Sequence, residues 1–288
     1  MKEYVIFTDS ACDITPELLS EWGVPSRALT FRFSDSEREY SNADMLANEF
    51  YAKMREGGVA KTAAVNTQAF LEAFEEIVKD GKDILYLGFS SGLSTTYNSG
   101  RLAAEELSKK YPDAKILTVD TLCASAGMGL IIYLVLQKKN EGASIDEAYE
   151  YAKELIPSLC HWFTVDDLVY LKRGGRISPA AAFFGNLMGI KPVLHVDDEG
   201  HLVNVDKVRG RRGAISAMAD KYGELALNKK DSVIFISHGD CLKDAELLAS
   251  MLNERYGATV KLITDVGPVI GAHSGPGTLA LFYIGKYR

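Results

Sequence analysis

Short apolar runs alternate with amphipathic segments through the first half of the chain. Three of these runs predict buried strands, at residues 4–8, 83–88 and 114–120. The apolar spacing of residues 16–22 and 96–109 predicts helices, and Thr15 followed by Pro16 is a typical start for the first of them. Strands that alternate with helices in this order indicate a parallel sheet with right-handed crossover connections.

Polar residues directly follow each of the three predicted strands. They are Thr8-Asp9-Ser10, Ser90-Ser91 and Asp120-Thr121. The carboxyl ends of parallel strands meet at one edge of a sheet, and ligands of α/β proteins bind at that edge. The sequence therefore predicts a cluster of hydroxyls and carboxylates there.

The pattern changes near Pro157, which ends a helix that begins at the capping box of Ser144 and Glu147. Beyond it, residues 190–196 and 201–208 flank a turn and predict an antiparallel hairpin. The remaining predicted elements are alternating helices and strands, at residues 211–227, 232–237, 243–256 and 258–265. This half of the chain predicts a mixed sheet.

The predicted fold class is therefore α/β with two domains. Residues 1–160 form an N-terminal parallel α/β domain, with an excursion near residues 25–60 that includes a helix at 44–55. Residues 161–288 form a C-terminal α/β domain with a mixed sheet.

Composition narrows the class of protein. Of 288 residues, 47% are hydrophobic and 25% charged, which is typical of a soluble globular protein. The net charge of −7 argues against nucleic acid as the main partner. The charged start at Lys2 and Glu3 is unlike a signal peptide, and the longest apolar run, residues 126–136, is too short to span a bilayer. Four cysteines without a CxxC pair indicate a reducing compartment and no metal framework, so we expect a cytoplasmic protein.

Residues 87–98, LGFSSGLSTTYN, carry two possible chemistries. Residues 88–92 match the G-x-S-x-G elbow of serine hydrolases, with Ser90 as nucleophile. Residues 91–94, however, extend the loop before the helix begins, and His238 or His273 would have to come from the other domain. Alternatively, six hydroxyls within eight positions form a cradle of donors at a helix N-terminus.

A glycine-rich stretch, residues 267–278, contains His273 and two hydroxyl side chains. Four glycines and two prolines predict a rigid loop with a fixed backbone path. Because a histidine on such a loop is either structural or functional, the residues alone leave both interpretations open.

Two basic stretches also have a structural and a functional interpretation. Residues 167–178 join a predicted helix to Gly174-Gly175, so that Lys172, Arg173 and Arg176 fall near a helix C-terminus, where cations are favourable. Residues 207–212 are either a solvated face or a basic patch for an anionic partner.

Together these stretches resemble the DegV family, whose members bind fatty acids. The matching segments occur in the family's order, as follows: Phe7-Thr8-Asp9-Ser10, residues 61–64, 91–99, 166–177 and 190–192, Lys207-Val208-Arg209, residues 237–240 and 271–277. Two departures retain hydroxyls: Thr62-Ala63-Ala64-Val65 replaces T-S-Q-P, and Thr95 replaces the glycine of S-G-L-S-G-T-Y.

The resemblance implies two α/β domains that enclose a long-chain fatty acid in an apolar tunnel between or beneath them. It also implies that the protein is not itself an enzyme but the lipid-binding subunit of a fatty acid kinase, which presents the carboxylate to an ATP-binding subunit for phospholipid synthesis. The absence of GxxxxGK[ST] and of kinase signatures agrees with this, and no cofactor is expected.

The resemblance and the physics of burying a carboxylate also indicate which residues bind the carboxylate of the fatty acid. Such a group needs several donors, because desolvation without partners is costly. We expect Thr62, Ser94 and His273 to supply them, with Ser274 and Arg209 as further candidates. Ser90, in contrast, is expected to have only a structural role. The implied partner-docking residues are Arg173 and Arg176, and we expect the packing of Phe183, Phe184 and Met188 to set the dimensions of the tunnel.

Overall fold

The computed structural model describes residues 2–177 and 189–288. In chain order, the strands are β1 (Tyr4–Asp9), β2 (Ser26–Arg27), β3 (Thr30–Phe33), β4 (Tyr40–Ser41), β5 (Ala60–Ala63), β6 (Asp83–Gly88), β7 (Ile116–Asp120), β8 (Leu159–Thr164), β9 (Ile190–Val196), β10 (Leu202–Arg209), β11 (Phe235–His238), β12 (Leu262–Asp265) and β13 (Leu279–Ile284). The α-helices, numbered over the described residues, are α1 (Pro16–Glu21), α2 (Ala47–Arg55), α3 (Thr67–Lys79), α4 (Thr96–Lys110), α5 (Ser125–Asn140), α6 (Ile145–Leu155), α7 (Val169–Arg173), α8 (Arg211–Leu225), α9 (Leu242–Tyr256) and α10 (Pro268–Ser274).

Two main sheets organise the fold. A four-stranded parallel sheet has the order β2-β1-β6-β7, and a six-stranded mixed sheet has the order β10-β9-β8-β13-β11-β12. In the mixed sheet β11 and β12 are parallel, while the other pairs are antiparallel. These sheets confirm the predicted α/β fold class. A small antiparallel sheet, β4-β3-β5, occupies the region predicted as an excursion.

Local sequence signals explain where several elements begin and end. Thr15 accepts a hydrogen bond from the Leu18 amide at the start of α1, at 3.3 Å. The Ser144–Glu147 capping box opens α6 as predicted. Helix α2 begins at Ala47, three residues later than predicted, after Leu46 at the N-cap.

The prediction that residues 267–278 form only a loop was wrong, because they contain helix α10. Pro268 stands at the first position of that helix, where its missing N–H costs nothing. Gly275, with φ of +83°, and Gly277, with φ of +77°, then turn the chain into β13. The glycines therefore end a short helix that carries His273, and the rigid turn follows it.

The six-stranded sheet has two differently packed faces, because side chains alternate along each strand. Trp162 and Leu281 lie on the face that packs against α8 and α9. Phe163, Ala280 and Phe282 lie on the other face, within the core that also contains β1, β6 and α5. The N-terminal elements thus cover this second face. Among the described residues no helix combines the length and hydropathy needed to cross a bilayer.

Candidate functional site

A cavity of about 470 Å³ lies between the second face of the six-stranded sheet, helix α10 and the loop that follows β6. Most of its wall is apolar, with side chains such as Leu29, Phe89, Phe163, Val196, Leu202, Val269, Ile270 and Phe282. Its polar side chains include Thr62, Ser91, Ser94, Thr95, Arg176, His273 and Ser274. Such a volume and lining are typical of a site for a small, mostly apolar ligand.

Thr62 and His273 form the centre of the polar part of the wall. Thr62 Oγ1 on β5 lies 2.8 Å from His273 Nε2 on α10, although 211 positions separate the two residues in the chain. Burial lowers the pKa of His273 to about 4, and the positive charge of Arg176 contributes in the same direction. The imidazole is therefore neutral near pH 7, with one nitrogen as donor and the other as acceptor.

Arg176 lies in the wall beside this pair. Its Nε donates to the Leu93 carbonyl at 3.2 Å, and its Nη1 donates to the Gly174 carbonyl. Burial lowers the pKa of its guanidinium, and no carboxylate of the described residues forms an ion pair with it. A half-buried cation with these partners favours an anion in the cavity.

Ser94 also lines the cavity, at the entry to helix α4. Its Oγ accepts from the Thr96 amide at 3.2 Å and lies 3.0 Å from Thr96 Oγ1. The hydroxyl thus stands one residue before Thr95, the N-cap of a 15-residue helix whose N-terminal dipole favours negative charge. The structure therefore places Ser94, Thr62 and His273 around one cavity.

Ser90 has a different environment from Ser94. Its fully buried Oγ donates to the Gly200 carbonyl at 2.9 Å and accepts from the Gly92 amide at 3.2 Å. A Cβ at Gly200 would lie 2.2 Å from that oxygen, so the contact between the loop and the β9–β10 turn is tight. Among the described residues no histidine is hydrogen-bonded to Ser90, and the serine hydrolase alternative has no support.

The other predicted residues lie in three different settings. Ser274 is buried in the wall and donates to the Ile270 carbonyl at 3.3 Å. Arg209 is exposed at the end of β10 and does not line the cavity. Arg173 is exposed, with its guanidinium 5.6 Å from the Tyr170 ring centroid. Three residues expected to shape the tunnel lie outside the described residues: Phe183, Phe184 and Met188.

The predicted cluster at the carboxyl edge of the parallel sheet is present, but it is largely structural. Asp9 accepts from Tyr86 Oη at 2.9 Å and from the Phe89 amide at 3.1 Å, and its burial raises its pKa to about 6. Asp120 accepts from the Ser91 amide at 3.2 Å. These carboxylates therefore fix the loop that carries Ser94.

Sequence reasoning missed a second polar group in the same wall. Ser125 Oγ donates to Asp13 Oδ2 at 2.5 Å and lies 2.9 Å from Ser237 Oγ. Burial raises the pKa of Asp13 well above its usual range. Asp13 and Ser125 both have positive φ, 51° and 54°, which is uncommon outside glycine. The available signal was the polar pair Asp120-Thr121 at the end of β7, but Ser125 lies four residues beyond it.

Among residues 2–177 and 189–288, one group of possible metal ligands lies at the turn between β9 and β10, outside the cavity. Asp197, Glu199 and His201 are close enough to share an ion. Asp197 Oδ1, however, already accepts from the backbone amides of Glu199 and His201, at 3.1 and 2.8 Å. The geometry is that of a tight turn stabilised by an aspartate side chain.

Comparison with known proteins gives full-length matches. A family model described as "Uncharacterised protein, DegV family" matches residues 3–286. A DegV domain-containing protein of Clostridium perfringens is 46% identical, over 100% of this chain and 99% of that protein.

Solved structures match equally completely. A structure described as fatty acid binding of a DegV family protein from Thermus thermophilus is 27% identical, with a TM-score of 0.89 over 99% of this chain and 100% of that chain. A stearic acid-binding protein from Eubacterium ventriosum is 26% identical, with a TM-score of 0.88 over 99% of each chain.

Proposed function

The chain belongs to the DegV family, and from that premise we propose that it binds one long-chain fatty acid in the cavity. The observation that carries the proposal is the cavity itself, in which apolar walls lead to a small group of donors and one cation. Relatives described as fatty acid-binding and stearic acid-binding proteins support the same ligand class.

Thr62, His273, Ser94 and Arg176 are the proposed carboxylate-binding residues. With His273 neutral, the proton on Nε2 can be donated to Thr62 Oγ1, which frees the Thr62 hydroxyl to donate to the carboxylate. Ser94 provides a second hydroxyl, and the charge of Arg176 compensates that of the ligand. Bonds from several donors offset the desolvation of the carboxylate.

The acyl chain supplies most of the binding free energy in this proposal. About 14 methylenes at about 0.8 kcal/mol each give a gross gain of about 11 kcal/mol, before the costs of association and chain ordering. The aromatic and aliphatic walls, such as Phe163, Phe282 and Val269, provide the matching surface. Affinity thus comes mainly from the tail, and orientation from the head group.

We further propose that the bound carboxylate is presented to the ATP-binding subunit of a fatty acid kinase. The chain contains neither a P-loop motif nor kinase signatures, so the phosphoryl donor must come from a partner. Arg173 is exposed at the end of α7, three positions before the wall residue Arg176, which makes this end of α7 a suitable docking element. In this arrangement the protein contributes positioning of the acceptor, a large factor in phosphoryl transfer.

Organic extraction and mass spectrometry of the purified protein test the first proposal. We expect about one long-chain fatty acid per chain, or stoichiometric binding when delipidated protein is titrated with stearate. Absence of both would refute it. The kinase role is tested separately: the isolated protein with fatty acid should consume no ATP, and acyl phosphate should form only when a fatty acid kinase subunit is added.

A further inference from the structure

Helix α10, which carries His273, has no side-chain cap of its own. Its N-cap residue is Gly267, so the first amides of the helix depend on acceptors from elsewhere in the chain. One of these amides, that of Val269, donates to Asn42 Oδ1 at 3.1 Å, although the two residues are 227 positions apart. Asn42 therefore caps α10 from a distant segment.

The other end of the Asn42 amide group joins the helix to the end of β1. Asn42 Nδ2 donates to the Ser10 carbonyl at 3.1 Å. A Cβ at Gly267 would lie 2.5 Å from Asn42 Nδ2, so the absence of a side chain at Gly267 allows this close approach. The oxygen and the nitrogen of the Asn42 side chain are thus both hydrogen-bonded, which fixes its orientation.

Tyr51 of α2 makes a second contact with the same helix. Its Oη donates to the Val266 carbonyl at 2.8 Å, two residues before the helix begins. A Cβ at Gly271, in the middle of α10, would lie 2.4 Å from that hydroxyl oxygen. Tyr51 is fully buried, so its hydroxyl and the Val266 carbonyl would both be costly to leave unpaired. The position of α10 is therefore fixed at its N-terminus and along one side.

Thr62 is held by the same part of the chain. Thr62 on β5 pairs with Phe31 of β3, and Phe31 pairs with Tyr40 of β4. Asn42 is the second residue after Tyr40 and directly follows β4. One small sheet thus holds Thr62 and, through Asn42, the helix that carries His273. The 2.8 Å contact between Thr62 Oγ1 and His273 Nε2 joins these two elements.

We propose that Asn42 and Tyr51 are positioning residues for the carboxylate-binding group, and that they hold α10 against the small sheet so that His273 meets Thr62. The inference rests on the proposed fatty acid binding and adds residues that act on it from outside the cavity wall. Neither side chain lines the cavity, so each acts through α10 and not on the ligand. A displacement of α10 by about 1 Å would take His273 Nε2 and Thr62 Oγ1 beyond hydrogen-bonding distance.

Competition with a fluorescent fatty acid tests the proposal. It gives the affinities of delipidated protein for stearate and for 1-octadecanol, which has the same chain length but no carboxylate. Asn42→Ala should lower the ratio of these affinities about fivefold, because the loss of its cap releases the end of α10. Both ligands contact the apolar wall, but only stearate brings a charge that depends on the Thr62–His273 pair.

A double-mutant cycle with Thr62→Val separates positioning from a general loss of stability. If Asn42 acts by bringing His273 to Thr62, Asn42→Ala should change the affinity for stearate less than about twofold once the Thr62 hydroxyl is absent. A merely structural effect would be the same in both backgrounds. Tyr51→Phe removes only the hydroxyl and should show the same coupling, so it provides the test if Asn42→Ala does not fold.

Asn66→Ala is the matched control. Asn66 also caps a helix, since its Oδ1 accepts from the Ala69 amide at 2.9 Å at the start of α3, but neither residue lines the cavity. Its substitution should lower the free energy of unfolding and leave the ratio of affinities unchanged.

The positioning role is refuted, while fatty acid binding stands, if Asn42→Ala and Tyr51→Phe retain the wild-type ratio. It is equally refuted if they lower the affinity for stearate by the same factor with and without the Thr62 hydroxyl. If the wild type does not bind stearate, both proposals fail.

Discussion

Replacing Thr62 by valine should weaken fatty acid binding with little effect on folding. Valine has nearly the shape of threonine and favours strands, so β5 should persist. The substitution removes the hydroxyl that lies 2.8 Å from His273 Nε2 and that we assign to the carboxylate. A hydrogen bond to a charged group contributes about 1.5–3 kcal/mol, which corresponds to a loss of affinity of about 10- to 100-fold.

Ser90→Ala is the matched comparison, because it also removes one hydroxyl from a buried region. Ser90 donates to the Gly200 carbonyl at 2.9 Å and does not line the cavity. Its loss leaves a buried carbonyl unpaired, at a cost of about 1–3 kcal/mol in the free energy of unfolding. The two variants should therefore differ in the property that they lose: Thr62→Val should lose affinity for the fatty acid, and Ser90→Ala should lose stability.

Displacement of a fluorescent fatty acid measures the affinity, and urea denaturation of delipidated protein measures the free energy of unfolding. The reasoning would be refuted if Thr62→Val bound stearate as well as the wild type does. It would equally be refuted if Ser90→Ala abolished binding while retaining full stability, since Ser90 would then act on the ligand.

Two further predictions concern charge around the carboxylate. Arg176→Gln should weaken stearate binding by about tenfold or more, because it removes a half-buried cation. Arg173→Gln, at an exposed position, should retain the affinity for stearate and lower only the rate of acyl-phosphate formation with a kinase subunit. Equal effects of the two substitutions on stearate binding would contradict this assignment. Binding of the fatty acid should also raise the pKa of His273 from about 4, because the carboxylate stabilises the imidazolium. The affinity for the fatty acid should therefore increase as the pH falls from about 7 towards 5, and binding should be accompanied by proton uptake. Calorimetry in buffers of different ionisation enthalpy measures that uptake, which His273→Asn should abolish; proton release in the wild type would overturn the prediction.

Much of the fold follows from short-range sequence signals. The apolar run 83–88 predicted β6 at its observed bounds, and the Ser144–Glu147 box fixed the start of α6, because both depend on residues within a few positions. Where a signal was ambiguous, packing decided the outcome. The glycines and prolines of residues 267–278 suggested a loop, yet α10 forms there because Pro268 suits a first helical turn and the helix packs against α7 and β5.

The ordered stretches of the sequence also singled out Thr62, Ser94 and His273 as candidates, and the structure places all three around one cavity. The sequence did not determine which of the neighbouring polar residues face the cavity. Ser90 and Ser94 belong to one loop, but Ser90 donates to the Gly200 carbonyl, 110 positions away, and only Ser94 lines the cavity.

The place of Arg176 in the cavity wall depended entirely on tertiary structure. The sequence offered Arg176, near a helix C-terminus, as a partner-docking residue, whereas the structure places it in the cavity wall, with its Nε bonded to the Leu93 carbonyl, 83 positions earlier. The sequence also could not show that Phe163 and Phe282 line the cavity, because alternation along a strand predicts that neighbours occupy opposite faces but not which face meets the cavity. The face that meets the cavity is decided by the pairing of β8 with β13 and by the N-terminal elements that cover one side of the sheet, because both are contacts between distant segments of the chain.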